Sequence, residues 1–223
     1  FTLAPGKSLG LLGRTGGGKT TITRLIARLY DPDRGVVRVG GHDLRTLHSE
    51  SLRRSVGVVT QDVQLFQASV KDNLTFFADR PDQEILDVLE RVGLGPWIRQ
   101  LGLDSTLGAG GQGLSVGEQQ LLAFARVFLQ DPGVVILDEP SSRLDPVTEM
   151  LLATATERLY AGRTVVIIAH RLETVRLADE IMVVDAGRIV EHGPRQTLAA
   201  DQSTRYAALL ATGRGEILGD TRP

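Results

Sequence analysis

At 223 residues and 42% hydrophobic content, the chain can build one large domain with its own core and an inserted subdomain. A net charge of -2 gives no electrostatic footprint for nucleic acid, and the absence of cysteine excludes disulfides and thiolate metal sites while fitting a cytosolic setting. No apolar run nears the roughly 20 residues of a membrane span, and no signal-peptide pattern opens the chain.

The first residue is Phe1, not methionine, which reads as a fragment of something longer. Residues 1–3 are expected to form a strand, Pro5-Gly6 a turn, and the apolar run Leu9 to Leu12 the end of a buried strand. Then comes Gly13-Arg14-Thr15-Gly16-Gly17-Gly18-Lys19-Thr20, which fits the pattern G-x-x-x-x-G-K-S/T. An amphipathic helix follows, with Ile22, Leu25, Ile26 and Leu29 at i, i+3, i+4 and i+7. Strand, glycine loop and helix are the context of a phosphate-binding loop, whereas a glycine-rich turn with a chance lysine needs neither neighbour. Its glycines bring consecutive N–H groups close to an anion, and the helix N-terminus adds donors and a positive dipole end. Lys19 can reach outer phosphates, and the Thr20 hydroxyl can ligate Mg²⁺.

Asp31-Pro32-Asp33-Arg34-Gly35 is a turn signal, residues 36–39 a short strand closed by Gly40-Gly41, and residues 51–55 a brief helical turn. Residues 57–60 read as a second buried strand ending at Gln61. Residues 62–130 then lose strand character. A helix over residues 81–92 carries Ile85, Leu86, Leu89 and Val92, a short one covers 97–101, and 102–113 is a glycine-rich loop. Ser115-x-x-Glu118 is a capping box opening a helix to about Gln130, with Leu121, Leu122, Phe124, Ala125 and Phe128 on its apolar side. This region is expected to be a helical subdomain inserted in an α/β core spanning 1–61 and 131–212, with a polar tail at 213–223. Within the second core segment, Val134 to Leu137 is a buried strand ending in Asp138-Glu139. Asp145-Pro146 starts a helix to about Ala161, residues 163–169 form a strand ending at His170, and 180–184 with 189–191 form a hairpin.

In an open parallel sheet, ligands sit beyond the carboxyl ends of the strands. The loop bearing Lys19, then Gln61, Asp138-Glu139 and His170 all stand at such ends. Asp138 suits a Mg²⁺ ligand, direct or through water, and Glu139 a general base that polarises water. An acidic pair in that position also suits a helix cap or a solvated turn. Gln61 on its residue type alone reads as a loop glutamine, and His170 as a structural histidine.

The stretch Leu114-Ser115-Val116-Gly117-Glu118, taken with the glycine loop, Gln61, residues 134–139, Asp145 and His170, resembles the nucleotide-binding domain of ATP-binding cassette (ABC) transporters over nearly the whole chain. The resemblance implies a P-loop NTPase (RecA-like) α/β core, a small antiparallel β portion and an inserted α-helical subdomain. It implies ATP and Mg²⁺ as ligands, with residues 13–20 (Gly13, Arg14, Thr15, Gly16, Gly17, Gly18, Lys19, Thr20) and Thr21 around the phosphates. Thr20, Gln61 and Asp138 would serve the metal, and Glu139, His170 and Lys19 the chemistry. The family signature LSGGQ, here LSVGE, implies that Ser115, Val116, Gly117 and Glu118 meet the γ-phosphate of ATP held by a second such domain, identical or not, arranged head to tail. Gln61-Asp62 with Leu65-Phe66 and residues 69–74, and the runs 168–172 and 185–193, are similar to the exporter branch, in which this domain usually follows its membrane domain in one polypeptide at the cytoplasmic face of the membrane. Gly17 stands for a usual serine, Val116 and Glu118 for Gly and Gln, Arg143 for a common alanine, and residues 108–111 lack an acidic residue often found there. The family's adenine-stacking aromatic lies upstream of Phe1, and none of Phe1, Tyr30 or Trp97 matches its position. Two rival readings are a soluble ABC ATPase of DNA repair or translation, which would carry a coiled-coil insertion or a second cassette, and a degenerate cassette that binds ATP to regulate a partner.

Overall fold

The computed structural model describes residues 1–138, 144–169 and 172–212. They form two compact units. The first takes residues 1–58, 133–138, 162–169 and 172–212, and the second takes 59–132 and 144–161.

The first unit is built on a six-stranded sheet. In chain order its strands are β1 (Ser8–Leu12), β4 (Val56–Val59), β5 (Val134–Asp138), β6 (Thr164–Ile168), β7 (Glu180–Asp185) and β8 (Arg188–Pro194); β2 (Arg38–Val39) and β3 (His42–Asp43) form a separate two-stranded antiparallel hairpin. Across the large sheet the order is β4-β5-β6-β1-β7-β8. β5, β6, β1 and β7 run parallel, with Leu11 opposite Ile168, Leu12 opposite Val183, and Asp138 opposite Ile168. β8 returns antiparallel along β7. All five residues of β1 are buried, which is why Leu9 to Leu12 shows no polar alternation. Helix α1 (Lys19–Ile26) lays Ile22 and Ile26 against Leu9, Leu11, Val166, Ile168, Met182 and Val184. A second cluster joins Ile136 and Val56 to Leu52 of α2 (Ser49–Ser55) and to Leu44.

The second unit is helical: α3 (Val70–Thr75), α4 (Asp82–Arg91), α5 (Gly95–Leu101), α6 (Val116–Gln130) and α7 (Pro146–Tyr160). α6 is its centre, packing on α3, α4 and α7. Leu121, Leu122, Phe124, Ala125 and Phe128 are all buried, as their spacing predicts. Ser69, Ser115 and Asp145 cap α3, α6 and α7 through their side chains, satisfying amides that the first turns leave without carbonyl partners.

Several expectations change. Residues 1–3 form no strand; Phe1 is exposed with its ring edge-on to His192 at 6.1 Å. No described strand edge pairs with them. Residues 36–37 stay outside β2. The helix after the glycine loop stops at Ile26, because Arg28 turns left-handed (φ 51°) and the Leu29 amide bonds back to Arg24, leaving Leu29 on the surface. Helix α7, expected within the α/β core, groups with the helices of the second unit. Helices α3, α8 (Arg195–Ala200) and α9 (Arg205–Thr212) are additional. The tail at 213–223 lies outside the described residues.

At the amino end of β1, Asp179 ties the strand to the segment before β7. Its carboxylate accepts from the Ser8 amide (2.9 Å), the Ser8 hydroxyl (2.7 Å) and Lys7 Nζ (2.9 Å). Burial pushes its pKa up, but the bonds from Ser8 and Lys7 outweigh it and hold the carboxyl below its usual value. A folded pKa below the unfolded one stabilises above the unfolded pKa, and that contribution is lost as pH falls through the folded value. Asp179→Asn is therefore expected to cost about 1–2 kcal/mol near neutral pH, discounted for the group's part exposure. The difference from the parent should shrink from about pH 4 downward, as read by urea melts over a pH series.

Candidate functional site

The carboxyl end of β1 runs directly into the glycine loop. Gly13 has φ 144°, and a Cβ there would lie 2.0 Å from the Val184 carbonyl oxygen, so only glycine fits between β1 and β7. The loop closes on itself through Gly17 N–H donating to Arg14 O (3.0 Å). It is braced from outside by Gly187 N–H donating to Gly17 O (2.9 Å). The β7–β8 register shifts between Val183 and Val184, beside this contact, as bulges near ligand sites commonly do.

Lys19 is buried at the first position of α1. Its Nζ donates to Gly13 O at 2.6 Å and Arg14 O at 3.1 Å. Burial lowers its pKa and the nearby Asp138 carboxylate raises it, with burial the larger effect. Gly18 caps α1 without a side chain, so no side-chain oxygen occupies the first amides. Among the described residues, no carbonyl or side chain accepts from the amides of Thr15, Gly16, Gly18, Lys19 or Thr20. These donors and a buried ammonium converge on one concave loop. Open amides beside an ammonium have the chemistry of an anion site, and a loop of this length suits consecutive phosphates.

The Thr20 side chain is exposed at the second position of α1. Asp138 closes β5, two strands away from β1 in the same parallel sheet. No group of three or more His, Cys, Asp or Glu residues among the described residues is placed to hold a metal. Mg²⁺ suits such a sparse set, since it keeps waters and borrows phosphate oxygens while taking one hydroxyl and one carboxylate from the protein. Thr20 and Asp138 fit that role.

Gln61 lies exposed two residues beyond β4. Glu139 and His170 follow β5 and β6 in the chain, and both lie outside the described residues, as does Arg143. Ser115 stands exposed at the N-cap of α6, in the second unit. Its hydroxyl accepts from the Glu118 amide (3.2 Å), and the Glu118 carboxylate accepts from both the Ser115 amide (2.7 Å) and the Ser115 hydroxyl (2.9 Å). Val116 is exposed and Gly117 buried beside it.

Two contributors went unread in the sequence. Val184 and Gly187 brace the glycine loop from a hairpin some 170 positions away, through backbone atoms. The turn Asp185-Ala186-Gly187-Arg188 signals a hairpin and nothing about the loop it touches.

Residues 1–142 match the protein family described as ABC transporter. The chain is 42% identical over 201 residues to the uncharacterized ABC transporter ATP-binding protein YfiC of Bacillus subtilis, covering 89% of this chain and 33% of that protein. It is 43% identical over 219 residues to the cyclolysin secretion/processing ATP-binding protein CyaB of Bordetella pertussis, covering 96% and 30%. With the ATP-dependent lipid A-core flippase of Alkalilimnicola ehrlichii it shares 40% identity over 213 residues, covering 94% and 36%. A solved bacterial Atm1-family ABC exporter with ATP bound superposes with a TM-score of 0.86 at 32% identity, over 98% of this chain and 39% of that one. The chain thus spans about a third of the length of the curated relatives it matches.

If the loop is an anion site, removing its ammonium must weaken it. Lys19→Ala is expected to raise the dissociation constant for inorganic triphosphate at least about tenfold, or 1.4 kcal/mol, by calorimetric titration. An unchanged constant in a folded variant would remove the loop from ligand binding.

Proposed function

Because the chain belongs to the ABC transporter family, we propose that it is the ATP-binding and ATP-hydrolysing domain of an exporter, closing head to tail with a second such domain around ATP. The observation that carries this reading is the glycine loop, where unpaired amides and buried Lys19 make a phosphate cradle beside Asp138. The P-loop NTPase fold shared with an exporter that has ATP bound supports it.

In this reading Lys19 and the open amides of Thr15, Gly16, Gly18, Lys19 and Thr20, within the loop 13–20, hold the β- and γ-phosphates of ATP, and Thr21 on α1 adds to the phosphate-binding set. Thr20, Asp138 and Gln61 would serve Mg²⁺, which would neutralise phosphate charge. Glu139 takes a proton from the attacking water as its oxygen bonds to the γ-phosphorus and the bond to the ADP oxygen breaks. His170 hydrogen-bonds the γ-phosphate. Ser115, with the amides of Val116 and Gly117, receives the γ-phosphate of ATP bound to the other domain. Glu118 must then surrender the Ser115 hydroxyl it now engages. The roles of the relatives, cyclolysin secretion/processing and ATP-dependent flipping of lipid A core, support coupling to export. None of the described helices is long and apolar enough to cross a membrane. The transport path would belong to a membrane domain, in the same polypeptide or a partner, with this domain at its cytoplasmic face.

Glu139→Gln removes the base while keeping the side chain's shape. The variant is expected to bind ATP, to hydrolyse it at least about a hundredfold more slowly, and to accumulate as an ATP-bound dimer by light scattering. Fast turnover by a strictly monomeric Glu139→Gln protein would refute the assignment.

A further inference from the structure

The glycine of the signature turn has a neighbour inside its own unit. Gly117 sits in the first turn of α6, buried, and a Cβ placed on it would lie 2.0 Å from the Thr148 Cγ2 methyl, 3.1 Å from Thr148 Cβ and 3.2 Å from Thr148 Oγ1. Its backbone is ordinary helix, so left-handed geometry does not call for glycine here. Glycine in a helix interior is less favourable than alanine, so the contact with Thr148 is what the position serves.

Thr148 is itself held fast. It lies in the first turn of α7, where its amide donates to Asp145 Oδ1 at 3.0 Å. The amides of Val147 and Thr148 both donate to Asp145 Oδ1, and the Thr148 side chain is the first influence holding the Asp145 carboxyl below its usual value. A β-branched side chain has few χ1 choices in a helix, so with the Thr148 backbone held by the cap its methyl has few directions open to it. The result is a chain of contacts: the Asp145 carboxylate holds the Thr148 amide, the Thr148 methyl abuts the Gly117 backbone, and Gly117 lies two residues from Ser115. Two helix starts, α6 and α7, are keyed together by one methyl in the space where a side chain would otherwise stand.

We propose that Thr148 is a positioning residue, which through Gly117 sets where the Ser115 hydroxyl and the first amides of α6 point for ATP hydrolysis. This rests on the proposed role of Ser115. On this account the glycine is required by a contact within the domain, whether or not a phosphate also approaches it.

The test is a double-mutant cycle in the purified protein: parent, Gly117→Ala, Thr148→Ser, and both together. Serine keeps the hydroxyl and the backbone bond to Asp145 and removes the methyl that alanine at 117 would strike. Melting temperature, ATP affinity, and kcat and KM for Mg-ATP are read for each. Gly117→Ala is expected to lower kcat by about ten- to a hundredfold, the scale of an ångström's misplacement, with ATP affinity at the glycine loop within about twofold of the parent. Adding Thr148→Ser should restore about tenfold of that loss, a coupling expected only between groups in contact. If the double variant regains its melting temperature but not its kcat, the contact is merely structural and the proposal fails; it fails too if Gly117→Ala turns over like the parent. Ser115→Ala separates this from the reading beneath it. Parental turnover by Ser115→Ala would overturn the role of the signature serine, while the melting temperatures would still report the Gly117–Thr148 contact.

Discussion

A buried ammonium needs oxygen around it, and the first unit is arranged to supply that oxygen from the chain's own backbone. Lys19 leaves water at the start of α1 and turns back onto the carbonyls of Gly13 and Arg14. Those carbonyls face it because Gly13 presses against β7 and Gly17 is gripped by Gly187. Amide hydrogens of the same loop are thereby left pointing away from protein acceptors. A loop that spends its carbonyls on a lysine and keeps its amides free is complementary to phosphate before any phosphate arrives, which reduces the ordering cost of binding.

The parallel sheet brings Asp138 to the same edge as the glycine loop. β1 is flanked by β6 and β7 and fully buried, so its carboxyl end is well anchored where the loop starts. β5 ends in register with β6, and Asp138 reaches the edge with a field strong enough to act on Lys19. In the second unit the same logic is applied to helix starts: Ser115 and Asp145 cap α6 and α7, and Thr148 keys one to the other.

What the sequence made legible were features with local causes. The glycine loop, the buried runs of β1, β5 and β6, and the capping box at Ser115 each follow from spacing within a dozen residues or fewer. What escaped reading has distant causes. Leu29 fits the helical period of α1 but sits past a left-handed Arg28 that ends the helix early. Helix α9 begins where Glu191, on β8, accepts from the Arg205 and Tyr206 amides, a cap supplied by another element. The braces on the glycine loop are backbone atoms of a hairpin whose own sequence records only its turn. Residues 1–3 carry strand-like side chains, yet a strand requires a partner edge as well as a pattern.

Central to the whole account is that Lys19 of one domain and Ser115 of another serve one ATP. Lys19→Ala and Ser115→Ala should each be close to inactive alone. Mixed in equal amounts, half the dimers should combine one of each, and each such dimer holds one site with both residues intact. Turnover should then rise to about one quarter of the parental rate, as expected for two equivalent sites in a twofold dimer. A mixture no faster than the average of the two variants assayed separately would contradict a shared site.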